Sequence, residues 1–250
     1  MASSNETGRV VACAACPLAL CAGLRPLDSA QVEWMQAFKQ GELRIDRGAE
    51  VLVQGLRSAH VYTVLDGVLM RYKLLDDGRR QIVNFMFPGD LVGLQAAMGE
   101  PLSHSVAALT PATLCIFSRK RFPEFIGSHT DLAYDVVWLA SKEEQALEDH
   151  LVALGQRSAI ERIAYLAVYL VQRAMETGMA RGTTVALSIT QTQIADMLGL
   201  SLVHTNRTLQ TLRSANLIGW TQSEIHVADL DAARDFARCE PPASIARPYL

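Results

Sequence analysis

The sequence predicts an α+β chain: an N-terminal roll of short β-strands, one long helix, and a C-terminal helix-turn-helix with a β-wing. Three observations predict this. Between residues 41 and 119, short alternating apolar runs are broken by turn pairs such as Arg47-Gly48, Asp66-Gly67 and Pro88-Gly89, which is the texture of a jelly-roll or barrel. Between 131 and 154 apolar residues recur at spacings of three and four, a heptad seam. Near the C-terminus, two short helical patterns flank Gly199.

The chain has 250 residues and is half apolar, enough for two domains with cores of their own. Its formal charge is only −3. That argues against a broadly basic nucleic-acid coat and leaves room for a local DNA-contacting patch. No apolar run reaches the length of a transmembrane helix. The spacing divides the chain into a cysteine-rich segment (1–27), a β-roll (28–130), a long helix suited to dimerisation (131–154), a winged helix-turn-helix unit (155–240) and a flexible tail (241–250).

In chain order, residues 9–24 are apolar apart from their ends and look like a short signal peptide, with a lipoprotein-like Leu18-Ala-Leu-Cys21. A unit that reads DNA has no use outside the cytoplasm, so the expected setting is cytoplasmic and the thiols reduced or metal-bound. Asp28-Ser29 caps an amphipathic helix carrying Val32, Trp34, Met35 and Phe38. Strands are expected over 51–53, 61–65, 68–74, 81–87, 105–109 and 113–117. On the long helix, Val137, Ala140, Glu144, Leu147, Leu151 and Leu154 form the seam, while Leu132 and Trp138 lie elsewhere and pack on the roll. An exposed seam asks for a partner helix, most simply from a second copy; an intramolecular amphipathic helix is the other reading. Residues 155–158 form a hinge, 159–175 a helix and 178–184 a loop. Prolines 241, 242 and 248 mark a frayed end.

The helix-turn-helix carries its own punctuation. Thr190 caps a helix over 191–198, Gly199 supplies the tight turn, and Ser201 caps a second helix over 202–213. Ile194, Ala195, Leu198, Leu200, Thr205, Leu209 and Leu212 face inward. Leu202, Val203, Asn206 and Arg207 fall at the outward N-terminal end, where base edges in the major groove are read. Thr192, Gln193, His204, Thr208 and Arg213 suit backbone contacts, which position without reading sequence. An ordinary helical hairpin is the plainer alternative. A following β-wing turns at Thr221-Gln222-Ser223-Glu224.

Cys13, Cys16 and Cys21 form a C-x2-C-x4-C cluster, a spacing that lets three thiolates of one loop converge on a soft metal centre. A fourth ligand must come from elsewhere, and Cys115 is the good candidate. Structural zinc and a thiol–disulfide switch suit the same residues, and Cys115 in an apolar strand also reads as a buried core thiol. Cys239 is left over. No Ser/His/Asp set, phosphate loop or paired catalytic carboxylates appear, so no enzyme is expected.

The order of roll, long helix and winged helix-turn-helix, with Pro88-Gly-Asp-Leu-Val-Gly93, Ser158-Ala-Ile-Glu-Arg-Ile163 and the stretch 194–212, resembles the CRP/FNR family of bacterial transcription regulators. The resemblance covers about residues 13–235. It implies a cyclic-nucleotide-binding-like roll, a homodimer on a palindromic double-stranded DNA operator, contact with RNA polymerase, and an effector that moves the long helices. Where the cyclic-nucleotide branch has an Arg-Ser/Thr pair, this chain has His104-Ser105, and Gly93-Leu-Gln95 replaces Gly-Glu-Leu. Losing that Arg removes the bidentate anion partner, which argues against cyclic AMP. The oxygen-sensing FNR branch resembles the cysteine pattern more closely, and implies a [4Fe–4S] cluster on Cys13, Cys16, Cys21 and Cys115. The interval before Cys21 is one residue shorter than that branch's best-known pattern. Arg207 matches the family's guanine-reading Arg. Val203 stands where a Glu is common, and a Val can touch a thymine methyl but cannot accept from cytosine. Another effector (haem, thiol oxidation, or a small ligand in the roll) and an iron–sulfur electron carrier are the competing readings.

Overall fold

The computed structural model describes residues 10–241 and 245–250. Residues 1–9 of the expected cysteine-rich segment and 242–244 of the expected tail lie outside the described residues. Two short 3-10 turns, Cys13–Ala15 and Pro17–Leu20, are followed by helix α1 (Ser29–Phe38). Asp28 and Gln31 cap its N-terminus reciprocally, the Asp28 side chain accepting from the Gln31 N–H at 2.8 Å. Then come β1 (Lys39–Ile45), β2 (Glu50–Leu52), β3 (His60–Asp66), β4 (Leu69–Leu74), β5 (Arg80–Met86), β6 (Leu91–Val92), α2 (Leu94–Ala97), β7 (Ser105–Ala108) and β8 (Ala112–Ser118).

These strands make two four-stranded antiparallel sheets, ordered β1-β8-β3-β6 and β2-β7-β4-β5. Leu52, Val64, Leu69, Met86, Val92, Val106 and Leu114 share one buried apolar cluster, the interior of the roll. The expected strands are present within a residue or two. β1 and β6 were not anticipated: β1 mixes Lys, Gln, Gly and Glu with only Leu43 and Ile45, and β6 has two residues.

After α3 (Phe122–Ser128), α4 runs over Thr130–Gln156, 27 residues or about 40 Å at 1.5 Å per residue. Leu132, Val136 and Leu139 bury one face in the same cluster as Phe117 and Phe125. Val137, Ala140, Glu144 and Leu151 are exposed on the single chain, and Leu147 is half-buried. Leu154 departs from that face: it is half-buried, and a Cβ on Gly199 would lie 3.8 Å from its Cδ2. It supports the helix-turn-helix rather than extending the exposed stripe.

The second unit opens with α5 (Ala159–Glu176), where Ser158 and Glu161 form a capping box. β9 (Ala180–Arg181) and β10 (Thr184–Val185) follow, then α6 (Gln191–Leu198), α7 (Leu202–Ser214), β11 (Ile218–Trp220), β12 (Ile225–Val227) and α8 (Leu230–Ala237). The expected loop at 178–184 thus supplies two strands, which join the wing in a sheet ordered β11-β12-β10-β9. The α8 helix, capped by Asp229, completes the unit.

Polar side chains join the units. Arg80 of β5 holds Asp196 of α6 through Nε at 2.9 Å and Nη2 at 2.7 Å, and Gln81 donates to the Met197 carbonyl at 3.0 Å. Deeper, Asn84 donates to Glu143 of α4 at 3.1 Å and its Oδ1 accepts from Tyr169 of α5 at 2.8 Å. The same Oδ1 lies 3.2 Å from His150 Nε2, so Nε2 carries the proton and Nδ1 accepts from Tyr165 at 2.7 Å. Arg71 of β4 pairs with Glu143 at 2.8 Å. Burial, then the charges of Arg71 and Arg157, lower the His150 pKa to about 4 and keep the ring neutral.

The tail corrects the expectation of a frayed end. Arg247 bridges to Leu24 in parallel register, and Tyr249 and Leu250 are buried with Cys115 and Leu18. Apolar burial and a buried ion pair hold the described tail residues despite the prolines. Cys239 is likewise half-buried against the core of the DNA-binding unit.

Candidate functional site

The helix-turn-helix places its outward residues by local chemistry. Thr190 accepts from the Gln193 N–H, and Gly199 takes φ 63° in the left-handed region, ending α6. The Ser201 hydroxyl accepts from the His204 N–H and starts α7. Ile194, Ala195, Leu198, Thr205, Leu209 and Leu212 are buried and Leu200 half-buried. On the opposite face Leu202, Val203, His204, Asn206 and Arg207 are exposed, Val203 by 75% and Leu202 by 52%. Asn206 Oδ1 accepts from Gln191 at 3.4 Å, which leaves its amide N–H groups free. Among the described residues nothing encloses the helix, and its first turns present a guanidinium, an amide and two aliphatic side chains together.

Three residues expected to touch DNA backbone do other work here. Gln193 caps α6, accepting from the Thr190 N–H at 2.8 Å, and turns its amide toward Met70 of the roll. Thr208 is buried under α7. Arg213 donates to the Trp220 carbonyl at 2.8 Å and fastens the wing. Thr192 stays exposed. The structure also assigns Asp196 to the roll contact through Arg80, which periodicity had no means to reveal.

The four candidate ligands lie in one region. Cys115, on β8, is buried, and Cys13, Cys16 and Cys21 pack half-buried against its apolar cluster. Burial raises the pKa of all three N-terminal thiols, and pushes Cys115 up to about 12 against the opposing pull of Lys39. Lys39 is anchored by donating to the Val11 carbonyl and to Glu42, each at 2.7 Å.

Among the described residues no three His, Cys, Asp or Glu side chains stand together as a metal-holding group. The donor set itself fits a soft centre: four thiols in one region of the fold, with a lysine beside them to offset negative charge. Drawing such thiols inward and deprotonating them is work that metal binding does when it couples to local folding.

The cysteine segment also touches the DNA-binding unit. Cys21 Sγ lies 3.3 Å from the Thr177 carbonyl, just past α5, and the Gly23 N–H donates to the Glu176 carbonyl at 3.0 Å. Gly23 is required by this approach, since a Cβ there would fall 2.6 Å from Glu176 Cα. At the site of the cyclic-nucleotide motif, His104 is buried and its pKa is lowered to about 4 by burial, then by Arg71 and Lys73. The Ser105 hydroxyl accepts from the Gln54 N–H at 2.9 Å.

A roll, a long helix with an open apolar face and an exposed recognition helix define a DNA-binding transcription regulator. A family model described as a cyclic nucleotide-binding domain matches residues 42–129, and one described as a Crp-like helix-turn-helix domain matches 161–236. The chain belongs to the CRP/FNR family of regulators, whose members bind DNA and act as dimers. It is similar to the nitrogen fixation regulation protein FixK of Bradyrhizobium diazoefficiens, 31% identical over 87% of this chain and 90% of the relative. It is equally similar to the transcriptional activatory protein AadR of Rhodopseudomonas palustris, 31% identical over 87% of this chain and 88% of that one. The solved structure of FixK2 from Bradyrhizobium japonicum superposes with a TM-score of 0.70 at 26% identity, covering 81% of this chain and 98% of that chain. Among the described residues no helix is long and apolar enough to cross a membrane.

Proposed function

We propose that this regulator senses oxygen or redox state through an iron–sulfur cluster, of [4Fe–4S] type, held by Cys13, Cys16, Cys21 and Cys115. The observation that carries the reading is the position of the cysteine segment, which packs on β8 of the roll and on the end of α5 at once. When bound, the cluster supplies oxygen lability. The chain supplies the thiols, the Lys39 charge beside them, and a direct contact from Cys21 to the DNA-binding unit. Oxygen-free purification followed by iron and sulfide analysis tests this. Iron and sulfide in equal amounts, lost in Cys115→Ser, are expected; zinc or no metal at all overturns the cluster.

In the same proposal, the exposed face of Val137, Ala140, Glu144 and Leu151, with Leu147, pairs with a second copy and presents two α7 helices to a palindromic operator in the cytoplasm. The name of AadR supports a role in activation, and with it contact with RNA polymerase. Pairing brings two Glu144 carboxylates together across the dyad, and like charges there weaken association. Glu144→Ala is expected to dimerise and bind operator in air, measured by sedimentation and anisotropy; a variant as oxygen-sensitive as the parent removes Glu144 from the mechanism.

A further inference from the structure

We propose that residues 245–250 are a working part of the sensor: a strap that closes the cysteine pocket and governs how fast small reagents reach its thiols. Short segments without helix or sheet of their own fray unless tied down, and this one is tied at both of its halves. The Arg25 N–H donates to the Arg247 carbonyl at 2.8 Å, and the Arg247 N–H donates to the Gly23 carbonyl at 2.9 Å. Beyond that bridge, Tyr249 and Leu250 are only 3% and 6% exposed. They belong to the apolar cluster of Leu18 and Cys115, against which Cys13, Cys16 and Cys21 pack. Tyr249 thus shares one apolar cluster with Cys115, on whose edge the three N-terminal thiols lie.

The Arg247 side chain is the latch. Its guanidinium donates to Asp90 Oδ1 at 2.7 Å, and the same oxygen takes Arg173 of α5 at 2.7 Å. Arg173 also donates to Glu176 at 2.6 Å. Two cations and two carboxylates therefore balance in a quartet, buried at Asp90 and Arg173 and open to solvent at Glu176, drawn from the strap, a turn of the roll and the first helix of the DNA-binding unit. Arg247 lies 5.9 Å from the Trp138 ring of α4 as well. The N-terminal thiols sit on two single 3-10 turns, which make few bonds of their own, so the strap over them sets how often the pocket opens.

The test uses the full, reduced, metal-free protein and iodoacetamide, which forms a sulfur–carbon bond as iodide leaves and the thiol proton passes to buffer. Labelling is followed at each cysteine by peptide mass spectrometry. Ending the chain at residue 244 is expected to speed labelling of Cys16, Cys21 and Cys115 about tenfold, with Arg247→Gln and Tyr249→Ala smaller in the same direction and Cys239 unchanged. A truncated chain in which Cys239 rises in step has unfolded, and the two substitutions then decide. Unchanged rates at the pocket thiols in both substitutions overturn the strap. The inference deepens the sensor reading, but the assay needs no iron, so failure to bind a cluster and failure of the strap give different results.

Discussion

Helix α7 takes its whole reading face from 13 consecutive residues, whereas the cysteine pocket is assembled from a terminal loop, strand β8, the end of α5 and the last residues of the chain. The first site needs only caps and an apolar underside. The second needs most of the molecule in place: Cys21 and Thr177, in contact, are 156 residues apart. A local site can lose its chemistry and keep its fold, while substitutions around an assembled site disturb both.

The sharpest break in that comparison is Arg207→Ala. Bidentate contact to guanine is worth about 1–3 kcal/mol, so two copies on a palindrome cost about 2–6 kcal/mol of operator affinity. Fluorescence anisotropy at fixed salt reads this, and Tm should not move because Arg207 is exposed. A variant that binds as well as the parent ends the DNA-reading assignment of α7. Arg173→Met should do the reverse. It leaves Glu176 without its guanidinium and Asp90 with Arg247 alone, costing about 3 kcal/mol. For a chain of this size that lowers Tm by roughly 6–12 °C. Calorimetry showing no shift removes the quartet from the stability of the assembly.

The joint between the units carries a pH dependence. His150 has a folded pKa of about 4, below the free value of 6.5, so the unfolded chain takes up the proton first. Its contribution is whole above pH 6.5 and drains away as pH falls toward 4, reaching a loss of about 2 kcal/mol at pH 5. Denaturant titrations at pH 7 and 5 should show this fall, and His150→Gln should flatten it. The smallest effect separates Val203 from the polar readers. If it rests on a thymine methyl, replacing that thymine by uracil costs about 0.8 kcal/mol per half-site. Val203→Ala should no longer distinguish the two operators; equal binding of both operators by the parent excludes the methyl contact.

What the sequence made legible follows the same division. Thr190, Gly199 and Ser201 announced both helices because capping is chemistry between neighbours, and the core stripe from Ile194 to Leu212 was readable as periodicity. The functions of Gln193, Thr208 and Arg213 were not. Each is polar on a helix near DNA, and only packing shows that one caps, one is buried and one bolts the wing. The spacing of Cys13, Cys16 and Cys21 was visible as a motif, but that Gly23 lays it against Glu176 was not, because no local pattern records a contact across the chain. The tail was misjudged for a related reason. Proline content describes what a segment does alone, and the anchors of this one, Asp90 and Leu24, lie far upstream.

One consequence belongs to the knot of Asn84, His150, Tyr165 and Tyr169. Tilting the DNA unit on its stalk must part Tyr165 from His150 and Tyr169 from Asn84 in the same movement. The first parting strands His150 Nδ1, an enclosed polar atom, at a cost of roughly 1–3 kcal/mol. A greasy hinge would slide by degrees. This one has notches: small tilts are resisted until the buried hydrogen bonds give way.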